Sequence, residues 1–172
     1  VFIVEPSGRY RASADMSLGG GILGSINIGA AKASVVVNND TAQLTNLTAD
    51  VMDGKINGNA TIAFSPKNRS EINADFTNLD IGKLLALQGG RVVPIEGNTT
   101  GKVNLSCAGT NFKTASGNLF ADITANAGTQ EKGLIPVTGR VESTAVNGLF
   151  NPDVARLNTE TSELSATGKF DL

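Results

Sequence analysis

Between Leu44 and Phe64 apolar and polar side chains alternate along one arm and then along a second. Leu47, Ala49 and Val51 fall on one side of the first arm, and Thr48, Asp50 and Met52 on the other. On the second arm Ile56, Gly58, Ala60, Ile62 and Phe64 oppose Lys55, Asn57, Asn59, Thr61 and Ala63. A period of two belongs to a strand with one buried face. Asp53-Gly54 between the arms predicts a tight hairpin turn, because a type I′ turn needs positive φ and Asp-Gly tolerates it.

The same alternation predicts strands along most of the chain. Tyr10 to Leu18 lines up Tyr10, Ala12, Ala14, Met16 and Leu18, and Glu71 to Asn78 lines up Ile72, Ala74 and Phe76. Lys102 to Cys107 aligns Val103, Leu105 and Cys107, Asn118 to Thr124 aligns Leu119, Ala121 and Ile123, and Leu164 to Leu172 aligns Leu164, Ala166, Gly168, Phe170 and Leu172. Val1–Val4, Ile22–Ile28, Ala31–Val37, Arg91–Glu96, Ile135–Val146 and Val154–Thr159 read as further strands, with turns at Pro6-Ser7-Gly8, Asn38-Asn39-Asp40 and Ser65-Pro66-Lys67-Asn68. Thr129 to Gly133 reads as a polar loop. One helix is expected, capped by Asp80, running from Ile81 to Leu87 and stopped by Gly89-Gly90. With Ile81, Leu84, Leu85 and Leu87 in so short a span it must bury most of its circumference, by plugging an end or edge of the sheet. The fold class is therefore all-β: an elongated, curved antiparallel sheet with one short helix.

The pattern also returns. An offset of 110 residues sets Leu47 on Leu157, Gly58 on Gly168, Gly29 on Gly139 and Val36 on Val146. An offset of 109 sets Gly8, Tyr10, Ala12 and Ala14 on Gly117, Leu119, Ala121 and Ile123. This suggests a repeat of about 110 residues, with residues 1–36 the tail of one copy, 37–146 a full copy and 147–172 the start of the next. The chain opens without Met and begins and ends in strand-like sequence, so it reads as one β-rich piece of a longer repeat protein.

Composition narrows the chemistry. Twenty glycines, no Trp and 5 % aromatics suit short strands and turns rather than packed helices. A net charge of −2 leaves no basic stripe for a phosphate backbone, so nucleic acid is not an expected partner. Without His, and with Cys107 as the sole cysteine, histidine triads and His/Cys metal sites are excluded; no cofactor, metal or enzymatic activity is expected. Asp50 and Asp53 at the hairpin end have an adequate structural role as turn residues. Gly19-Gly20-Gly21 lacks the lysine of a phosphate loop. The Asn-x-Ser/Thr triplets at Asn46, Asn59, Asn68, Asn98 and Asn104 follow from a composition rich in Asn and Thr.

An apolar sheet face must be covered. Many inward positions here are small, as at Ala49, Gly58, Ala60, Ala74, Ala121, Ala166 and Gly168, which leaves room. A sheet folded lengthwise around a trough wide enough for acyl chains explains both the alternation and the small side chains. Lipid burial would then supply part of the missing core, at roughly 0.8 kcal/mol per methylene. The trough lining is expected to be Leu47, Val51, Ile56, Ile62, Phe64, Ile72, Phe76, Val103, Leu105, Leu119, Ile123, Val141, Leu157, Leu164, Phe170 and Leu172. The competing arrangement is a collapsed sandwich with small residues at tight corners.

The runs LTNLTADVMDGKINGNATI from Leu44, NLDIGKLL from Asn78, VPIEGNTTGKVNL from Val93 and SELSATGKFDL from Ser162 resemble the AsmA/TamB superfamily of bacterial envelope proteins. The likeness covers most of the chain from about Val35 onward. It implies a β-taco-like hydrophobic groove in a bridge across the periplasm of a Gram-negative-type bacterium, anchored in the inner membrane by a segment outside this chain. It further implies that phospholipid acyl chains are the cargo and that outer-membrane biogenesis is supported. In the TamB branch an outer-membrane barrel protein is a partner, reached through parts outside this fragment. The alternative, from another functional class, is a structural repeat of a surface adhesin or β-solenoid with a dry core. A β-solenoid normally repeats over roughly 20 to 30 residues with a stricter ladder, whereas the period here is about 110 and includes a helix.

Overall fold

The computed structural model describes residues 1–23, 26–89, 94–126 and 133–171. Its elements are β1 (Phe2–Val4), β2 (Tyr10–Leu18), β3 (Gly21–Leu23), β4 (Ile26–Asn38), β5 (Thr41–Val51), β6 (Gly54–Ala63), β7 (Arg69–Asp80), α1 (Ile81–Gly89), β8 (Ile95–Glu96), β9 (Asn98–Ala108), β10 (Asn111–Thr124), β11 (Ile135–Pro136), β12 (Thr138–Val146), β13 (Leu149–Asn158), β14 (Glu163–Ser165) and β15 (Phe170–Asp171). One 13-stranded antiparallel sheet runs β1-β2-β4-β5-β6-β7-β9-β10-β12-β13-β14, with β3 on β4 and β15 on β13. Its first and last strands do not pair with each other, so the sheet is open. The second sheet is only the short parallel pair β8-β11. Among the described residues there is thus no facing sheet of the kind a sandwich requires.

Several boundaries differ from the alternation reading, each for a local reason. Ile22–Ile28 and Ala31–Val37 are not two separate strands, because β4 runs unbroken from Ile26 to Asn38 and absorbs irregular pairing between Ile28 and Ala31. The hairpin turn is centred on Met52-Asp53, with φ of 49° and 64°, while Gly54 already pairs with Val51. Positive φ at both central residues is the type I′ signature. Glycine is needed one position later because a Cβ at Gly54 would overlap the Thr77 carbonyl and the Asn78 backbone. Ile135–Val146 is broken at Val137 into β11 and β12. Of Arg91–Glu96 only β8 is a described strand, since 90–93 lie outside the described residues, as does most of the predicted Thr129–Gly133 loop.

Strict alternation would put Leu44 and Leu47 on opposite faces, and likewise Phe76 and Leu79. The structure places both members of each pair on the same face by a bulge. Pairing shifts between Leu44 and Leu47 and again between Phe76 and Leu79, with Asn46 and Asn78 in left-handed backbone at φ of 52° and 55°. The tripeptide Thr-Asn-Leu stands at both places, residues 45–47 and 77–79. Asparagine tolerates this conformation better than most residues, which makes it a fitting bulge residue.

The sheet is bent toward its apolar face, and glycines record the bend. Gly58, Gly101, Gly117 and Gly139 occupy that face. A Cβ at each would overlap a backbone carbonyl of the neighbouring strand, from Asn73, Phe120, Asn104 and Arg156 respectively. The adjacent strand stands where an inward side chain would otherwise begin, so each of these junctions folds inward and needs a residue without a side chain.

One end of the strands is tied by Ser70, 2 % exposed. Its hydroxyl accepts the Ala63 amide proton at 2.8 Å and donates to the Gly109 carbonyl at 2.5 Å, joining the β6-β7 turn to the β9-β10 turn. Ser70→Ala leaves the buried Ala63 N–H unpaired and the Gly109 carbonyl with the Cys107 thiol as its remaining side-chain donor. It is expected to cost about 1–3 kcal/mol, read as a lowered urea midpoint with an unchanged slope.

Candidate functional site

Cross-strand register assembles the apolar residues into rows on one face. One row is Val35, Leu44, Ala60, Ile72, Leu105, Gly117, Ala145 and Phe150. The next is Leu47, Gly58, Ala74, Val103, Leu119 and Ser143. A third is Ala31, Ala49, Ile56, Phe76, Gly101, Ala121, Val141 and Ala155. At the strand ends Leu79, Thr99, Ile123, Gly139, Leu157 and Leu164 form the last row. The lining residues expected from sequence therefore share this face, Val51 through its partner Gly54 and Ile62 through Ala42 included. Two differ. Phe64 lies just past the end of β6 and is 49 % exposed, while Ala63 before it is fully buried where its amide reaches Ser70. Leu172 lies outside the described residues. Phe170 pairs in register with Phe150.

Burial divides the face into strips. Along the third and last rows Val51, Phe76, Leu79 and Ala121 form one buried cluster, and Ile81, Ile123 and Val137 a second. α1 supplies the cover: Leu84 packs on the first cluster, Ile81 and Leu85 belong to the second. The helix begins where the sequence indicated, its third amide donating to the Asp80 carboxylate at 2.9 Å. At the opposite strand ends Ala63, Ser70, Cys107 and Ala115 are buried. Between these strips lie Leu44, Leu47, Ile72, Val103, Leu105 and Leu119, all half-buried. Toward the sheet's outer strands the face is open, with Met16 60 % and Leu164 60 % exposed. Leu44 and Leu79 are members of this face that alternation alone misses, and the recurrent Thr-Asn-Leu is the signal that would have placed them; Leu84 and Leu85 pack on the face from α1.

The other face is polar. Asp50 and Lys55 pair at 2.7 Å and Asp75 and Lys102 at 3.5 Å, each across directly opposed strand positions. Asn59, Asn73, Asn104 and Asn118 stand in register across four adjoining strands, and Arg140 stacks 4.7 Å over Phe120. Cys107 is a buried free thiol near the Gly109 carbonyl. Among the described residues no group of three His, Cys, Asp or Glu side chains could hold a metal ion, and no helix is long and apolar enough to cross a membrane. Two buried oxygens, Glu96 Oε1 and Thr99 Oγ1, have no hydrogen-bond partner among the described residues. The arrangement offers a concave apolar surface backed by a hydrated one, which suits holding alkyl chains rather than bond-making chemistry.

Comparison with known proteins matched this chain to no protein-family model, no curated protein and no solved structure.

Proposed function

We propose that this chain is a lipid-carrying segment of a longer bacterial envelope protein of the AsmA/TamB type. Phospholipid acyl chains lie along the apolar face, across the strands, on a path between inner and outer membranes. The observation that supports this best is the half-buried strip of Leu47, Ile72, Val103, Leu105 and Leu119, which runs continuously across neighbouring strands with no facing sheet among the described residues. Ala60 and Ala74, in the same rows, carry only methyl groups and leave the strip recessed beside its larger side chains. Each methylene placed there gains roughly 0.8 kcal/mol, so an acyl chain can complete the core that the sheet lacks. Periplasmic location, an inner-membrane anchor and a barrel partner at the outer membrane belong to the same proposal, and rest on the resemblance described above.

Native mass spectrometry of the protein purified from a bacterial periplasm tests the reading. Phospholipid retained on the protein, and extractable from it, is the expected result. Protein free of lipid that also takes up no fluorescent phospholipid would count against it.

A further inference from the structure

We propose that α1 is a displaceable cover, lying on the rim of the trough that an acyl chain must share. The idea rests on the lipid-carrying reading. The sheet does not depend on the helix for its continuity, because β7 and β9 on either side of it pair directly, through Leu79 with Thr99 and Asp80 with Asn98. At nine residues, α1 is shorter than an isolated helix that holds its shape in water. Its order therefore comes from docking Ile81, Leu84 and Leu85 on the apolar face.

Among the described residues its polar ties beyond the Asp80 cap are few. The Ile81 amide donates to the Gly97 carbonyl at 3.1 Å, and Lys83 Nζ meets the Asp53 carboxylate on the β5-β6 turn. Both side chains of that ion pair are more than half exposed, so it guides the helix without fixing it. Apolar docking holds the cover, and an acyl chain offers the same surface the same kind of contact. The cluster on which Leu84 packs, with Phe76 and Ala121 among its members, adjoins the half-buried strip, so chain and helix compete along a shared border.

Opposite perturbations test the cover. With Asp53→Cys and Lys83→Cys joined by a short, reductant-cleavable methanethiosulfonate crosslinker, α1 is held down; Cys107, 3 % exposed, stays out of the reaction. Uptake of fluorescent phospholipid from phosphatidylethanolamine/phosphatidylglycerol vesicles is expected to fall about tenfold and to recover on reduction, because only the uncovered population is competent. Leu84→Ala is expected to speed uptake about fivefold by the same relation. Equal uptake in the locked and reduced forms, or no gain from Leu84→Ala, overturns the cover. If wild-type protein takes up no lipid at all, the lipid-carrying reading itself fails and the cover falls with it, a result distinguishable from the first two.

Discussion

Gly101→Val is expected to abolish cooperative folding. Gly101 lies in the third row between Phe76 and Ala121, and a Cβ there would overlap the Phe120 carbonyl and stand 2.7 Å from the Phe76 ring and 2.8 Å from Ala121 Cα. Two of those three are backbone atoms, which cannot give way without parting β9 from β10. The cost is expected to be about 4 kcal/mol or more, a large share of the roughly 5–15 kcal/mol that holds a domain together. Gly168→Val is the matched control, because nothing lies within 4 Å of a Cβ there; its melting curve should stay close to wild type. A Gly101→Val protein that melts like wild type would mean that the sheet is not bent at this junction.

Leu105→Asp is expected to leave the sheet folded and remove lipid binding. Leu105 is half-buried and belongs to neither cluster on which Ile81, Leu84 and Leu85 pack, and it stands opposite Ile72 on one side and Gly117 on the other. A carboxylate there keeps access to water in the lipid-free protein, so the loss of folding stability should be about 1–2 kcal/mol. Against an acyl chain the same carboxylate is dehydrated and unpaired, a penalty large enough to cut uptake at least about tenfold. Circular dichroism beside a fluorescent-phospholipid uptake assay separates the two effects. Phe76→Asp does not serve the same purpose: Phe76 is 8 % exposed, clustered with Val51, Leu79 and Ala121, so a charge there is expected to unfold the protein.

How much of this could be read from sequence depends on the physics that sets each feature. A period of two is imposed by the pleat itself, so β2, β5, β6, β7, β9 and β10 and the face shared by Ile56, Ile72, Val103 and Leu119 were legible from hydropathy alone. Asp80 ahead of an apolar run marked α1, and its density of leucines required that it be buried. Bulges were not legible, because the shift at Asn46 or Asn78 depends on a backbone conformation that alternation does not encode. Burial was not legible either. Phe76 and Leu105 follow the same pattern in their strands, yet Phe76 belongs to the buried cluster on which Leu84 packs and Leu105 does not. Inner-face glycines suggested spare room, and at Gly58, Gly101, Gly117 and Gly139 the neighbouring strand's backbone takes that room instead. The offset of 110 residues matches Met52-Asp53, a two-residue turn, to Ser162-Glu163, where a wider turn from Thr159 to Ser162 leads into β14. The two windows share a strand order while their hairpin registers differ.

The claim at the centre is that acyl chains lie on the inner face. Photo-crosslinking from neighbouring positions of one strand tests it most directly. Val103 and Leu105 face inward, and Asn104 between them is exposed on the polar side. With benzoylphenylalanine placed at each position in turn and irradiation in the cell envelope, phospholipid adducts are expected from 103 and 105 and not from 104. Adducts at all three, or at 104 alone, would contradict an inner-face path for lipid.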